Sequence, residues 1–402
     1  MFGIIQGEIF NERKKITWQS ELSQYNVETM NKYYDYLIVG SGLFGAVFAS
    51  EMKKRGKKTI VIERRNHVGG NIYTERTGGI DVHKYGPHIF HTSKKDIWDY
   101  ANEITFFKPF TLCPLANFRD KLYNLPFNMH TFYQMWGVTT PAQAMEKLAK
   151  ERAEYADITP TNLEEQALKS VGRDIYEKLI KGYTEKQWGR KCNELPPFII
   201  RRLPLRLIFD NNYFNDTFQG IPAEGYTVMI NKLLEGIEVR LCTDFFADRK
   251  IWLNTAEKII FTGRIDEFFD ERFGTLEYRS LRFEHETLAM ENYQGAPVVN
   301  FTDATIPYTR ITEHKHFSGA KANFTIISRE YPAPWKPGDE PYYPINDQKN
   351  NLLYQKYAAL AKETPNVIFG GRLGAYRYFN MDEVLETAIA AVKTELNNLS
   401  VY

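Results

Sequence analysis

The sequence predicts an α/β protein with three parts: a discontinuous domain built on a parallel sheet, a helical domain and an antiparallel β-sheet domain. Three observations carry this. An apolar strand runs through a glycine turn into a helix from Tyr34 onward, and a similar strand–turn–helix unit closes the chain. Between about Asn128 and Trp188, apolar residues recur at three- and four-residue spacing. From about Pro197, short aromatic stretches alternate with turn residues. With 402 residues, the chain is also too long for one simple core.

Taken in order, "YYDYLIV" reads as a buried parallel strand, "GSGLFG" as a turn and "AVFASEMKKRG" as a helix. Gly40, Gly42 and Gly45 fit GxGxxG in that context. The first glycine permits the tight turn, the second lets a pyrophosphate approach the backbone, and the third lets helix pack on strand. The helix N-terminus then offers free N–H groups to phosphate. A second strand, "KTIVIE", ends at Glu63, where an acid can accept from ribose hydroxyls. These features predict a Rossmann-like dinucleotide-binding domain.

"VHKYGPHIFHT" reads as strand, turn and strand carrying His88 and His91. No cysteine or acid shares that cluster, so no metal is expected. The histidines read as structural, with a cofactor- or substrate-facing role open for His88. "TTPAQAMEKLAKERAEYA" is a helix capped by Thr140 with Pro141 at its first position. "NLEEQALKSVGRDIYEKLIKGY" is a second, starting at Thr161 or Asn162. "PVVNFTDATIPYTRITEHKHF" and "KANFTIISREYP" read as antiparallel strands, with "EPYYPIND" as a loop.

Hydrophobic residues are 43% and charged residues 25%, ordinary for a globular chain. A net charge of +1 argues against a dedicated nucleic-acid binder. Cys113, Cys192 and Cys242 lack CxxC spacing, so neither disulfides nor zinc are expected, and all three read as buried thiols. No signal peptide or membrane span is legible, which points to a cytoplasmic protein without membrane association. Residues 1–33 are polar and read as an N-terminal extension outside the core fold.

Arginine and tyrosine gather in several motifs: Tyr183, Thr184, Gln187 and Trp188; Arg201, Arg202 and Arg206; Tyr213; Tyr308 and Arg310; Tyr342 and Tyr343; Tyr376 and Tyr378. Guanidinium forks and phenol donors suit a diphosphate, and Trp suits stacking on a base. No catalytic triad or paired carboxylates are legible.

"ERRNHVGGN" and the closing "NVIFGGRLGAYRYFNMDEVLETAIAAV" resemble FAD-binding proteins of the amine-oxidase and dissociation-inhibitor superfamily. "GYTEKQWG", "ELPPFIIRRLP", "YTRITEHK" and "GRLGAYRY", in order after "YGPHIFHT", narrow the resemblance to the bacterial UDP-galactopyranose mutases. That resemblance implies an isomerase interconverting the pyranose and furanose forms of UDP-galactose through a reduced-flavin N5 sugar adduct, with no net redox. It implies a supply of furanose to cell-surface polysaccharide, a homodimer and a reductant such as NAD(P)H.

The resemblance places FAD against Gly40, Gly42, Phe44, Gly45, Glu63, Arg64, Gly69, Gly70, Asn71, His88, Arg372 and Asp382. It places substrate against Tyr183, Thr184, Trp188, Arg202, Tyr213, Asn300, Arg310, Tyr343 and Tyr378. Arg202, on a mobile lid, and Arg310 hold the diphosphate and act catalytically with His88. The expected division is 34–105 plus 225–275 plus 365–402 for FAD, 125–196 for the helical domain, and 106–124 plus 197–224 plus 276–364 for the antiparallel sheet. Two departures bear on specificity: Leu179-Ile180 stands where many members have two Phe, and Leu112-Cys113 where many have Asn-Arg. UDP-N-acetylgalactosamine or a dTDP-6-deoxy sugar are the alternative substrates. An amine-oxidase-like oxidoreductase and a dissociation-inhibitor-like binding protein are the alternative classes, disfavoured by the arginines and by the intact glycine motif.

Overall fold

The structure is a computed structural model that describes residues 33–200 and 204–399. The expected extension therefore lies, except for Tyr33, outside the described residues, and so does Arg202.

Five parallel strands form one sheet in the order Glu238–Arg240, Thr59–Ile62, Tyr34–Val39, Ala256–Phe261, Val367–Phe369. Numbered along the chain this is 3-2-1-4-5, the doubly wound order. The strands come from three distant stretches, so the sheet is discontinuous in sequence. Alternation in Tyr34–Val39 explains its burial on both sides. Tyr36 and Ile38 join a core with the helices Leu43–Lys54 and Met381–Leu399, while Leu37 joins a core with Phe261, Phe268 and Tyr357 on the other face.

A second sheet of seven strands runs Tyr343–Pro344, Tyr278–Leu288, Thr325–Pro334, Arg310–Glu313, Val298–Phe301, Leu115–Phe118, Lys121–Asn124. It is antiparallel except where Val298–Phe301 meets Leu115–Phe118 in parallel. The loop expected at "EPYYPIND" thus contributes a short edge pairing at Tyr343. The strands Phe107–Pro109 and Phe218–Pro222 leave this sheet: they pair with each other, and Phe218–Pro222 pairs on its other side with Phe90–Thr92. His91 sits on that strand, whereas His88 precedes it, and the two strands flanking the Gly86 turn pair with different partners.

The helical layer follows its caps. Thr140 and Gln143 form a capping box ahead of Pro141–Arg152, and Asn162 caps Leu163–Val171. The second helix does not run on to Tyr183 as its apolar spacing suggests. Gly172 interrupts it at φ 80°, because a side chain there would meet Glu151 Cβ at 2.4 Å. A π-helical turn, Tyr176–Ile180, then leads into Lys181–Trp188. Such a turn shifts the register of the faces that follow it. Here it delivers Leu179 and Ile180 to the same cavity as Tyr183 and Trp188.

Candidate active site

The glycine turn is a seat with one open side. Gly40 has φ 102°, and a Cβ there would lie 2.1 Å from Thr262 Oγ1. A Cβ on Gly45 would lie 2.1 Å from the Gly40 carbonyl oxygen. A Cβ on Gly42 would meet nothing within 4 Å. Two of these glycines are therefore demanded by packing, and the third faces free space at the N-terminus of Leu43–Lys54. Gly69 donates its N–H to the Ser41 carbonyl (3.1 Å), and Gly70 packs on Gly42, so the second glycine pair braces the first turn. Glu63 is buried, accepting from Ser41 N–H (3.0 Å), Ser41 Oγ (2.8 Å) and Arg65 N–H (3.0 Å). An anion-accepting turn beside a fixed carboxylate fits a dinucleotide.

Next to this seat lies a cavity of about 420 Å³. Asn71, His88 and Arg372 line it on the side of the parallel sheet. Leu179, Ile180, Tyr183, Thr184, Gln187 and Trp188 line the helical side. On the third side, Asn300, Arg310 and Glu330 stand in one row across three adjacent strands, since Asn300 pairs with Arg310 and Arg310 with Glu330. Tyr213, Tyr343 and Tyr378 complete the lining.

Arg310 is the charge centre of the cavity. Its Nε lies 3.1 Å from Glu330 Oε2, and Glu330 is 2% exposed. Burial works against the guanidinium charge, but Glu330 and the nearby phenols outweigh it and raise its pKa. Burial pushes the Tyr183 phenol up to about 12 and raises Tyr213 and Tyr343 as well. All three stay protonated donors at neutral pH. Arg372 donates to the Phe379 carbonyl (2.7 Å) and sits 4.6 Å over the Tyr378 ring. That contact holds the exposed phenol toward Tyr343, whose ring centroid is 5.8 Å away.

Behind His88 lies a ladder of neutral imidazoles. The His88 backbone N–H donates to His83 Nδ1 (3.1 Å), and the His83 backbone N–H donates to His314 Nδ1 (3.2 Å). Ser328 Oγ then bridges His314 and His285. Burial lowers His83 to about 3, His88 to about 4 and His285 to about 4, and lowers His314 well below its usual value. His83 and His314 accept these bonds through Nδ1 only while their rings are neutral. Their ordinary pKa near 6.5 in the unfolded chain means that acid makes the unfolded state bind more protons. Stability is therefore expected to be flat in these groups above pH 6.5 and to fall progressively below it. For His83 and His314, 1% and 0% exposed, each contributes about 1.4 kcal/mol per pH unit over that fall. Denaturant melts at pH 8, 7, 6 and 5 check this, and an unchanged midpoint from 7 to 5 would contradict it.

Not every anticipated residue reaches the cavity. Phe44 is buried against Gly370, whose Cβ would lie 2.1 Å from the ring. Arg64 turns to Glu340 on the surface (2.6 Å), while its neighbour Arg65 is the more buried, bonding Asn71 Oδ1 (2.9 Å) and Glu340 (2.7 Å). Asp382 starts the last helix, with Oδ1 buried and unpartnered, while Asn380 and Met381 beside it line the cavity. Of the three cysteines, Cys192 is buried, Cys113 partly so, and Cys242 is exposed, contrary to the expectation of three buried thiols. Gln187 and Tyr342, singled out with the arginine and tyrosine motifs, line the cavity, and so does Glu330, which was not anticipated. Glu330 carries a sequence signal: it is a carboxylate within the β-patterned run "TIISREYP". Among the described residues, no group of three His, Cys, Asp or Glu could hold a metal, and no helix is long and apolar enough to cross a membrane.

Comparison with known proteins agrees with this geometry. Residues 178–378 match the UDP-galactopyranose mutase family model, and residues 38–104 match an NAD(P)-binding Rossmann-like domain. A dTDP-fucopyranose mutase of Escherichia coli is 38% identical over 92% of this chain and 99% of its own. A probable UDP-galactopyranose mutase of Klebsiella pneumoniae is 37% identical over 90% of this chain and 95% of its own. The crystal structure of a reduced UDP-galactopyranose mutase shares the fold with a TM-score of 0.68, at 15% identity over 90% of this chain and 96% of that one. Similarity of this extent, running through the glycine turn, the helix of Trp188 and the strand of Arg310, makes the chain a member of the UDP-galactopyranose mutase family and an enzyme of the sugar-mutase type.

Proposed function

We propose that the enzyme binds FAD and interconverts UDP-galactopyranose and UDP-galactofuranose without net redox. The observation that carries this is the Asn300–Arg310–Glu330 row facing Trp188 across one buried cavity, beside a dinucleotide seat. When bound, reduced flavin supplies the nucleophile for the anomeric carbon. The chain's own residues do the rest. Arg310 holds the diphosphate and stabilises its charge as it leaves the sugar, with Arg202 as a second cation. Tyr213, Tyr343 and Tyr378 donate to phosphate oxygens. Trp188 packs on the base beside Tyr183, Thr184 and Asn300. His88, half-buried and neutral, presents a hydrogen-bonding edge on the cofactor side. Gly42, the glycines at 69 and 70, Glu63, Asn71 and Arg372 hold the cofactor.

On this reading the cofactor domain comprises 34–105, 225–275 and 365–402, the helical domain 125–196, and the sheet domain 106–124, 197–224 and 276–364. The enzyme is cytoplasmic and homodimeric, draws its electrons from a reductant such as NAD(P)H, and supplies furanose to a surface polysaccharide.

A second reading is favoured by the cavity wall. Leu112, Leu179 and Ile180 are apolar there, and each is at most 7% exposed. Such a wall suits a thymine methyl or a 6-deoxy sugar, as in a dTDP-fucopyranose mutase. The test is chromatography of purified protein with UDP-galactofuranose or dTDP-fucofuranose, with and without dithionite. Conversion of the first only under reduction supports the primary reading, and selective conversion of the second transfers it to the deoxy sugar. No conversion of either removes both.

Trp188→Ala is expected to weaken UDP binding about tenfold, with Trp188→Phe retaining most of it, because stacking contributes on the order of 1 kcal/mol. Titration calorimetry with UDP reads this directly, and equal affinities for all three proteins would move the base elsewhere.

A further inference from the structure

Lys186 projects from the cavity helix into a loop that the mechanism above does not use. Its Nζ lies 2.8 Å from the Phe301 carbonyl oxygen, 2.9 Å from Asp303, 3.0 Å from Ile306 and 3.0 Å from Tyr308. An ammonium has three N–H groups, yet four backbone oxygens surround it. The Asp303 carboxylate, the acid within this loop, is engaged instead with Arg119 (3.2 Å) and with Thr305 (2.8 Å). The charge is thus solvated by carbonyl dipoles, as a monovalent cation is in a carbonyl cage. Burial pushes the ammonium down to about 8, and the Asp303 charge offsets this only in part.

The cage sits between the two halves of the site. Helix Lys181–Trp188 carries Tyr183, Thr184, Gln187 and Trp188 on its cavity face. The loop from 301 to 309 joins the strand bearing Asn300 to the strand bearing Arg310. Gly182 lets the same helix approach this loop closely, since a Cβ there would be 2.3 Å from the Thr302 carbonyl oxygen. Thr302 Oγ1 closes the junction by donating to the Lys178 carbonyl (2.7 Å).

We infer that Lys186 is a positioning residue, a built-in cation whose carbonyl cage fixes the distance between the base wall at Trp188 and the diphosphate clamp at Arg310. Without it, four converging carbonyls repel one another and the loop opens. A small cation from solution can then take its place. The inference rests on the nucleotide-sugar reading above for its consequence, but the cage itself does not.

The experiment uses full-length Lys186→Ala and Lys186→Met, compared with wild type in tetramethylammonium, potassium, ammonium, sodium and lithium chloride at equal ionic strength. Two quantities are read: the melting temperature, and UDP affinity by calorimetry. In tetramethylammonium, Lys186→Ala is expected to bind UDP at least about tenfold more weakly than wild type. Potassium and ammonium are expected to restore much of that loss and raise the melting temperature, sodium and lithium less so. Wild type responds to none of them. Lys186→Met, whose stem fills the entrance, shows the loss without the rescue.

UDP binding by Lys186→Ala at wild-type strength, or a defect equal in every salt, overturns the inference. So does an equal rescue of Lys186→Met. If Lys186→Ala does not fold, the UDP affinity of Lys186→Met decides: wild-type strength refutes a positioning role. If wild type itself fails to bind UDP, the UDP-sugar reading falls and the affinities are read with dTDP instead, while the cation-dependent melting of Lys186→Ala still tests the cage.

Discussion

Arg310→Ala is expected to lower turnover of the sugar nucleotide by about 10²- to 10³-fold while the protein keeps its flavin. The guanidinium is the charge beside which the half-buried phenols stand, and it lies one strand from Asn300 and one from Glu330. On the proposed reaction, its loss would remove the stabilisation of a diphosphate as it gains charge on leaving. It also leaves Glu330, 2% exposed, without its counter-charge, at a cost of about 3–5 kcal/mol. These effects separate in the double variant. Arg310→Ala with Glu330→Gln no longer buries an orphan carboxylate and is expected to regain most of the stability but none of the activity. Turnover and denaturant midpoints for the single and double variants check this. If the double variant regained turnover, the role of Arg310 would be structural.

The two glycine-led ends of the chain were legible because their signals are local. A turn that needs Gly40 and Gly45, a strand on either side and an acid at Glu63 all lie within thirty residues. The caps at Thr140 and Asn162 were legible for the same reason. What the sequence hid depends on register. Glu330 matters because strand pairing puts it beside Arg310, and no local pattern states that pairing. The strand Tyr278–Leu288 also escaped reading, since its outer half alternates charges on a mostly exposed surface rather than apolar and polar residues. The π-turn at Tyr176–Ile180 hid inside an apolar spacing that reads as continuous helix. That Arg65 rather than Arg64 turns inward is likewise a matter of which way one residue faces after a strand ends.

The largest structural effect is expected at Gly45 and the cleanest binding effect at Gly42, two positions of one motif with opposite causes. In Gly45→Ala the new methyl would stand 2.1 Å from the Gly40 carbonyl oxygen and 3.0 Å from Ile38 Cγ2. Neither the turn nor the strand can yield without the other, so the helix Leu43–Lys54 must lift from the sheet. Both the core beneath it and the seat above it are then lost. Overpacking of this kind costs about 1–3 kcal/mol where neighbours can relax and more where the neighbour is backbone, so a poorly soluble, colourless protein is expected. In Gly42→Ala the methyl meets nothing within 4 Å, and the backbone there, at φ −67°, is open to any L-residue. The unliganded fold is therefore expected to melt as wild type does. What changes is the space in which a pyrophosphate would lie against the helix N-terminus. Flavin absorbance per protein and the dissociation of added FAD read that loss, with the melting curve of the flavin-free protein as the control. A Gly42→Ala protein that stays fully yellow would place the pyrophosphate away from this turn, and with it the cofactor geometry on which the proposed reaction depends.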